Sequence, residues 1–175
     1  MTADNCAVTA SGILTIGTGA TLALGGSDTT LVNTGGSFDN KGTLQVEGDE
    51  TLTDLTNDTA EGAVVYTGAG TYSSGLIAGD GYYDLTFNGS GSWQQNTDIT
   101  VNGDFTVTQG TFNCNGYDIT GNAILVNGGT LNANDAATDI DVSSHVVVTA
   151  GTLSAPPALD DTSFMVGGNW EISGS

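Results

Sequence analysis

The chain has 175 residues, 20 acidic side chains, a single Lys (Lys41), one His (His145) and a formal net charge of −19. Binding to nucleic acid or to an anionic membrane surface needs many Lys and Arg side chains, so this composition argues against both partners. No apolar run approaches the ~18 residues of a membrane-spanning helix, and the length suits one domain over residues 1–175.

In chain order, the predicted elements are short strands separated by turn residues. Residues 13–16 and 21–24 carry a loose alternation of apolar and polar side chains. The alternation becomes strict over residues 99–108 and continues over residues 111–115. Because alternation with a period of two is typical of half-buried strands, we expect an all-β protein.

A short phrase of Gly, Thr, a large apolar residue and a polar residue recurs along the chain. It begins at Gly42, Gly70, Gly110, Gly129 and Gly151. The interval from Gly70 to Gly110 is about twice each of the two intervals that follow it, and is long enough for two repeats. A repeat of about 22 residues is typical of a solenoid, in which each rung buries its apolar side chains against its neighbours.

A second phrase supports the same period. Residues 101–107 (VNGDFTV) match residues 166–172 (VGGNWEI), and the offset between the two copies is close to three rungs. Asn-Gly pairs at residues 88, 102, 115 and 127 fit either hairpin turns or solenoid corners. The period favours a β-solenoid of about eight rungs, with a less regular, aromatic-rich stretch over residues 61–97.

Residues 63–72 (AVVYTGAGTY) and 82–91 (YYDLTFNGSG), with residues 98–105 and 110–120, resemble repeats of large bacterial surface proteins. These are the filamentous-haemagglutinin-like and adhesin-like β-solenoid repeats. The resemblance implies a right-handed parallel β-helix from an extracellular structural or adhesive protein, and it implies no catalytic residue.

Aromatic side chains are the candidate sugar-binding groups. Trp93, Tyr82 and Tyr83 offer flat faces on which a sugar ring could stack if they are exposed. Since Tyr82 and Tyr83 are adjacent, one of them should point inward and the other outward in a strand. Packing in the core or at a corner is the alternative explanation for all three.

Acidic pairs are the candidate metal ligands. Asp139 and Asp141 would share one side of a strand, and Asp160 and Asp161 follow two prolines in a loop. Calcium takes six to eight oxygen ligands, which such loops can supply, whereas solvated surface acids are the alternative. We expect no other cofactor.

The two cysteines, Cys6 and Cys114, are separated by more than half of the chain. In a solenoid this places them several rungs apart, too far for a disulfide. Cys114 alternates with Phe112, so we expect it in the core. Neither cysteine has the spacing of a metal site.

The sequence therefore favours a non-enzymatic structural surface protein, a stalk or filament subunit that is extracellular or on a cell surface. Neither end of the sequence shows a polar cap, so we expect contact end to end with copies of itself or with flanking solenoid rungs. The alternative is a carbohydrate-binding adhesin or tail-spike-like module, with a surface glycan as partner. A polysaccharide-cleaving enzyme is disfavoured because Arg is absent and no triad partner for His145 is evident.

Overall fold

A computed structural model describes residues 2–4, 7–9, 11–55, 59–158 and 162–173, with side chains from residue 9 onward. The described residues form 20 strands, and no helix long and apolar enough to cross a membrane occurs among them. All strand pairs within the described ranges are parallel. The strands are β1 Thr2–Asp4, β2 Ala7–Thr9, β3 Ile13–Ile16, β4 Thr21–Gly25, β5 Thr30–Val32, β6 Ser37–Asn40, β7 Thr43–Val46, β8 Thr51–Thr53, β9 Ala63–Tyr66, β10 Thr71–Tyr72, β11 Gly81–Tyr82, β12 Asp84–Phe87, β13 Ser92–Gln94, β14 Ile99–Val107, β15 Thr111–Asn113, β16 Ile119–Asn132, β17 Ile140–Val142, β18 Val146–Ser154, β19 Phe164–Val166 and β20 Trp170–Ile172.

The strands stack into a β-solenoid with three faces. The first face contains β1, β4, β7, β9 and β12, then residues 104–107, 123–126 and 146–148, and finally β20. The second face begins with the separate three-stranded sheet of β2, β5 and β8, and continues with β10, β13 and β15, then residues 130–132 and 152–154. The third face begins with the separate two-stranded sheet of β3 and β6, and continues with β11, then residues 99–101 and 119–121, β17 and β19.

The predicted solenoid is confirmed, with about seven turns instead of the expected eight. The turns differ in length. Along the first face, the turn that runs from Phe105 to Ile124 is shorter than the turn that runs from Val146 to Trp170. The right-handedness of the solenoid stays a prediction.

The first repeated phrase belongs to two different faces. Thr43, in the copy at Gly42, lies on the first face, whereas Thr71, Thr111, Thr130 and Thr152 lie on the second. This explains why the interval from Gly42 to Gly70 fits no single turn. The interval from Gly70 to Gly110 holds two turns, as predicted: its middle copy is residues 91–94 (GSWQ), in which Ser replaces Thr.

The second phrase repeats after three turns, as the offset between its copies predicted. Phe105 aligns with Ile124, Val146 and then Trp170 along one column. The Asn-Gly pairs mark corners and not hairpins, since the strands around them pair in parallel. At residues 115 and 116 both φ angles are positive, at 56° and 83°, which an Asn-Gly pair tolerates.

The core is a set of columns of inward side chains, and its centre is aromatic. Phe87 is fully buried and its ring centroid lies 4.6 Å from Phe112, 5.1 Å from Tyr66, 5.2 Å from Trp93 and 5.8 Å from Phe105. These rings occupy successive rungs of the first and second faces. Aromatic pairs at such distances stabilise a core beyond the area they bury.

The irregular stretch predicted within residues 61–97 is a loop between β10 and β11. The Tyr66 hydroxyl accepts a hydrogen bond from the Ala78 N–H at 3.1 Å, and the Tyr82 hydroxyl donates to the Gly79 carbonyl. Burial raises the pKa of Tyr66 to about 12 and the pKa of Tyr82 well above its usual value. Two neutral tyrosines therefore hold this loop against the core.

Cys114 lies in the core, as predicted, with no exposed area. Burial raises the pKa of its thiol to about 12, because the thiolate would lose its hydration there. Cys6 lies outside the described residues, so its pairing stays a prediction.

Candidate functional site

The C-terminal end of the solenoid exposes residues that continue core columns. Trp170 aligns with Val146 and Ile172 aligns with Val148. The two valines are 0% and 8% exposed, whereas Trp170 is 46% and Ile172 68% exposed. The difference arises because, in the part of the chain that the structure describes, no strand pairs with the far side of β20.

The neighbouring strand β19 extends this apolar surface. Phe164 and Val166 align with the buried residues Ile140 and Val142, but are themselves only partly buried. The Phe164 ring packs edge to face against Trp170, with centroids 4.8 Å apart and an interplanar angle of 67°. We call Phe164, Val166, Trp170 and Ile172 the end face.

The end face combines apolar side chains with the open edge of a sheet. An unpaired parallel strand presents alternating N–H and C=O groups that another strand can pair with. Covering a large apolar side chain contributes about 1.5–3 kcal/mol. A further rung of the same geometry would pair with the open strand edge and would also cover the apolar side chains.

The aromatic candidates for sugar binding are mostly buried. Trp93 and Tyr82 have no exposed area, so the expectation that they present open faces is wrong. Both point inward because Trp93 aligns with Phe112, and Tyr82 with Val101, in core columns. Tyr83 is 38% exposed, as the alternation predicted for one of the pair, and its role in sugar binding stays a prediction.

Trp93 packs against the loop of residues 47–50, which connects β7 to β8. Its indole Nε1 donates to the Glu47 carbonyl at 2.8 Å, and its ring stacks on Tyr72 at 5.5 Å. The Glu50 carboxylate accepts the N–H groups of Glu47 at 2.7 Å and Gly48 at 2.9 Å. The loop is thus held by the Trp93 indole at one carbonyl and by the Glu50 carboxylate at two N–H groups. It borders a cleft of about 300 Å³ that Tyr72 and Glu50 line.

The acidic candidates do not gather into a cation site. Asp139 and Asp141 share the outward side of the chain around β17, as predicted, since Ile140 is buried between them. However, the Asp139 carboxylate accepts the Ser163 N–H. Within the described ranges, no group of three or more His, Cys, Asp or Glu side chains could hold a metal ion.

Asp160 and Asp161 lie outside the described residues, so their part in a calcium site stays a prediction. Calcium needs six to eight oxygens, and Asp139 and Asp141 supply few of them. Asp139 and Asp141 therefore do not complete a calcium site by themselves.

A column of corner aspartates was missed by the sequence analysis. The Asp98 carboxylate accepts the Asp118 N–H at 3.0 Å, and the Asp118 carboxylate accepts the Asp139 N–H at 2.7 Å. Asp139 repeats the pattern with Ser163. Each carboxylate thus accepts a hydrogen bond from a backbone N–H group of the next rung. The Asp-Ile dipeptides at residues 98, 118 and 139 could have revealed this column.

A polar groove of about 550 Å³ surrounds His145 at the corner between the third and first faces. The Ser144 hydroxyl lies 2.9 Å from His145 Nδ1, and Glu171 lines the same groove. Among the described residues, no hydrogen bond joins Glu171 to the imidazole. The described part of this groove thus contains a serine in contact with an imidazole, but no carboxylate hydrogen-bonded to that imidazole.

Comparisons of this chain with protein-family models, with curated proteins and with solved structures found no match.

Proposed function

We propose that this chain is a non-enzymatic structural segment, a β-solenoid stalk or filament subunit of an extracellular, adhesin-like surface assembly. The observation that carries the proposal is the end face, where Trp170 and Ile172 stand exposed in columns that are otherwise buried. The occupant that fits this face is a further solenoid rung, either a flanking rung or the first rung of a second copy. Such a rung offers parallel strands of the same geometry.

The chemistry of the described side chains supports a structural role. From Leu14 to Val166 the described interior is filled by apolar side chains, and the corners carry backbone and carboxylate hydrogen bonds. The extracellular setting rests on the resemblance of the repeats. A single Lys and no Arg leave one site for trypsin-like proteases, which suits a material exposed to them.

Light scattering of the purified chain tests the stacking. We expect the average mass to rise with protein concentration at about 0.15 M salt, where repulsion between the two acidic copies is largely screened beyond about 8 Å. The variant Ile172→Glu places a charge in the end face and should remain a monomer. A matched control is Met165→Glu, because Met165 is 53% exposed and aligns with the outward residue Asp141.

The control variant should assemble like the unmodified chain. A mass that stays monomeric at every concentration would overturn the stacking of copies. Equal loss of assembly in both variants would show that added charge, and not the end face, controls it.

A further inference from the structure

One side of the turns between residues 67 and 158 carries no charged residue. This side consists of five uncharged segments: 67–75, 88–97, 108–117, 127–134 and 149–158. In the structure they are the same part of five successive turns, namely the corner between the first and second faces and the second face itself. We call this region the uncharged side.

The uncharged side presents two columns of polar side chains that point outward from the second face. The hydroxyl column consists of Thr71, Ser92, Thr111, Thr130 and Thr152. The amide column consists of Gln94, Asn113 and Asn132, with Ser154 at its end. Neighbouring members of a column are about 4.8 Å apart, and the two columns about 7 Å apart.

The amide column is fixed by hydrogen bonds between rungs. Asn132 Nδ2 donates to Asn113 Oδ1 at 3.0 Å, and Asn113 Nδ2 donates to the Ser92 hydroxyl at 3.1 Å. The amides therefore hold one orientation. An ordered polar array loses less entropy when a ligand binds than a mobile one does.

The hydroxyl column keeps most of its hydrogen-bonding capacity. The hydroxyl groups of Thr111, Thr130 and Thr152 bond to no other residue that the structure describes, although their backbone atoms pair in the sheet. Each can donate one hydrogen bond and accept others. A ligand lying along the column would meet a donor and an acceptor at every rung.

The uncharged side leads into the cleft beside Tyr72. Thr71, Ser73 and Ser74 line this cleft together with the partly buried Tyr72 ring, and the acidic residues Asp49 and Glu50 line it as well. An aromatic ring beside several hydroxyl groups is a combination that suits a sugar ring, since its apolar face can stack while its hydroxyl groups form hydrogen bonds. The cleft gives one end of the array a concave binding place.

We propose that the uncharged side binds a neutral polysaccharide chain lying along the solenoid axis. A polymer with a repeated hydroxyl pattern matches a surface that repeats the same groups at each rung. An anionic polymer would be repelled by the net charge of −19. A second copy lacks what a lateral contact needs, because the outward columns contain no apolar anchor to offset the repulsion between two acidic chains.

Removal of the hydroxyl groups tests the site. The variant Thr111→Val, Thr130→Val, Thr152→Val keeps the shape and strand preference of each side chain. The matched control is Thr100→Val, Thr120→Val, since these two threonines are exposed on the third face in equivalent strands. Depletion from solution measures binding to cellulose, chitin and mannan, with polygalacturonate as the anionic comparison.

We expect the unmodified chain to bind at least one neutral polysaccharide and not polygalacturonate. The triple valine variant should bind at least about tenfold more weakly, because three hydrogen-bonding groups are lost. The control should bind unchanged. The corresponding triple serine variant, which keeps the hydroxyl groups, should retain binding.

Failure to bind any neutral polymer of the panel would overturn the proposal. So would equal weakening in the valine variant and its control, or equal binding to polygalacturonate. Circular dichroism identifies a variant that fails to fold. If the valine variant does not fold, loss of binding in the folded serine variant, which keeps the hydroxyl groups, would overturn the proposal. The proposal does not rest on end-to-end stacking, because Ile172→Glu monomers should bind with the same affinity per site.

Discussion

Removal of the Phe87 ring should destabilise the protein more than most single substitutions. Phe87 has no exposed area and its ring lies within 5.8 Å of four other rings. Phe→Ala substitutions in cores cost about 3–5 kcal/mol, and each lost aromatic pair adds about 0.5–1.5 kcal/mol. We therefore expect Phe87→Ala to lower the free energy of unfolding by at least about 5 kcal/mol.

The position of Phe87 also predicts the form of the transition. In a solenoid each rung is stabilised mainly by its neighbours, so damage to a central rung separates the two halves. Urea unfolding followed by circular dichroism reports on the whole chain. Tryptophan fluorescence reports mainly on the centre through the buried Trp93. The two signals should coincide in the unmodified chain and diverge in Phe87→Ala.

Thr86→Ala is the matched control, because Thr86 is the adjacent residue of β12 and points outward. It should cost less than about 1 kcal/mol, as surface substitutions usually do. The reasoning would be refuted if Phe87→Ala cost less than about 1.5 kcal/mol, well below the range for buried Phe, or no more than its control. Coincident signals in Phe87→Ala would refute only the separation of the halves.

Three further predictions concern pH, the buried thiol and one corner. The neutral form of Tyr66 is the native one and its pKa is raised from 10.0 to about 12, so its contribution is complete below pH 10 and lost between pH 10 and 12. Tyr66 should contribute about 3 kcal/mol to the fall in the free energy of unfolding over that window, in addition to the contributions of Tyr82 and Cys114, and urea unfolding of Tyr66→Phe should show a fall smaller by that amount. In a Cys6→Ser background, Cys114 should react with a thiol reagent only on unfolding; rapid native labelling would contradict its burial. Gly89→Ala should destabilise strongly in thermal unfolding, because its Cβ would lie 2.2 Å from the Gly68 carbonyl oxygen, whereas Gly17→Ala meets no atom within 4 Å and should be nearly neutral.

The fold class could be predicted from the sequence because the repeated residues are those that occupy the core columns. Phe105, Val146 and Trp170 occupy one column, and their surroundings repeat closely enough to reveal a three-turn offset. The number of turns was harder to predict. A corner tolerates added residues that leave the columns aligned, so turn length varies while the period appears constant.

The exposure of single aromatic residues could not be predicted from the sequence. Trp93 and Trp170 both sit between polar neighbours, and both point inward along their columns. They differ only in what lies above them: Trp93 is covered by neighbouring rungs and a loop, and Trp170 is not. Burial in a solenoid is decided by the rungs on either side. Alternation within one strand carries no information about those rungs.

The two proposed binding surfaces, the end face and the uncharged side, can be occupied at the same time. Stacking through the end face acts along the axis, whereas the uncharged side runs parallel to it, so the two surfaces do not compete. Copies stacked end to end would carry their uncharged sides along one polysaccharide chain, each site weak by itself. Linked sites gain avidity without any new contact. A stacked assembly should therefore hold a long polymer more tightly than Ile172→Glu monomers do, although both should bind a short oligosaccharide equally.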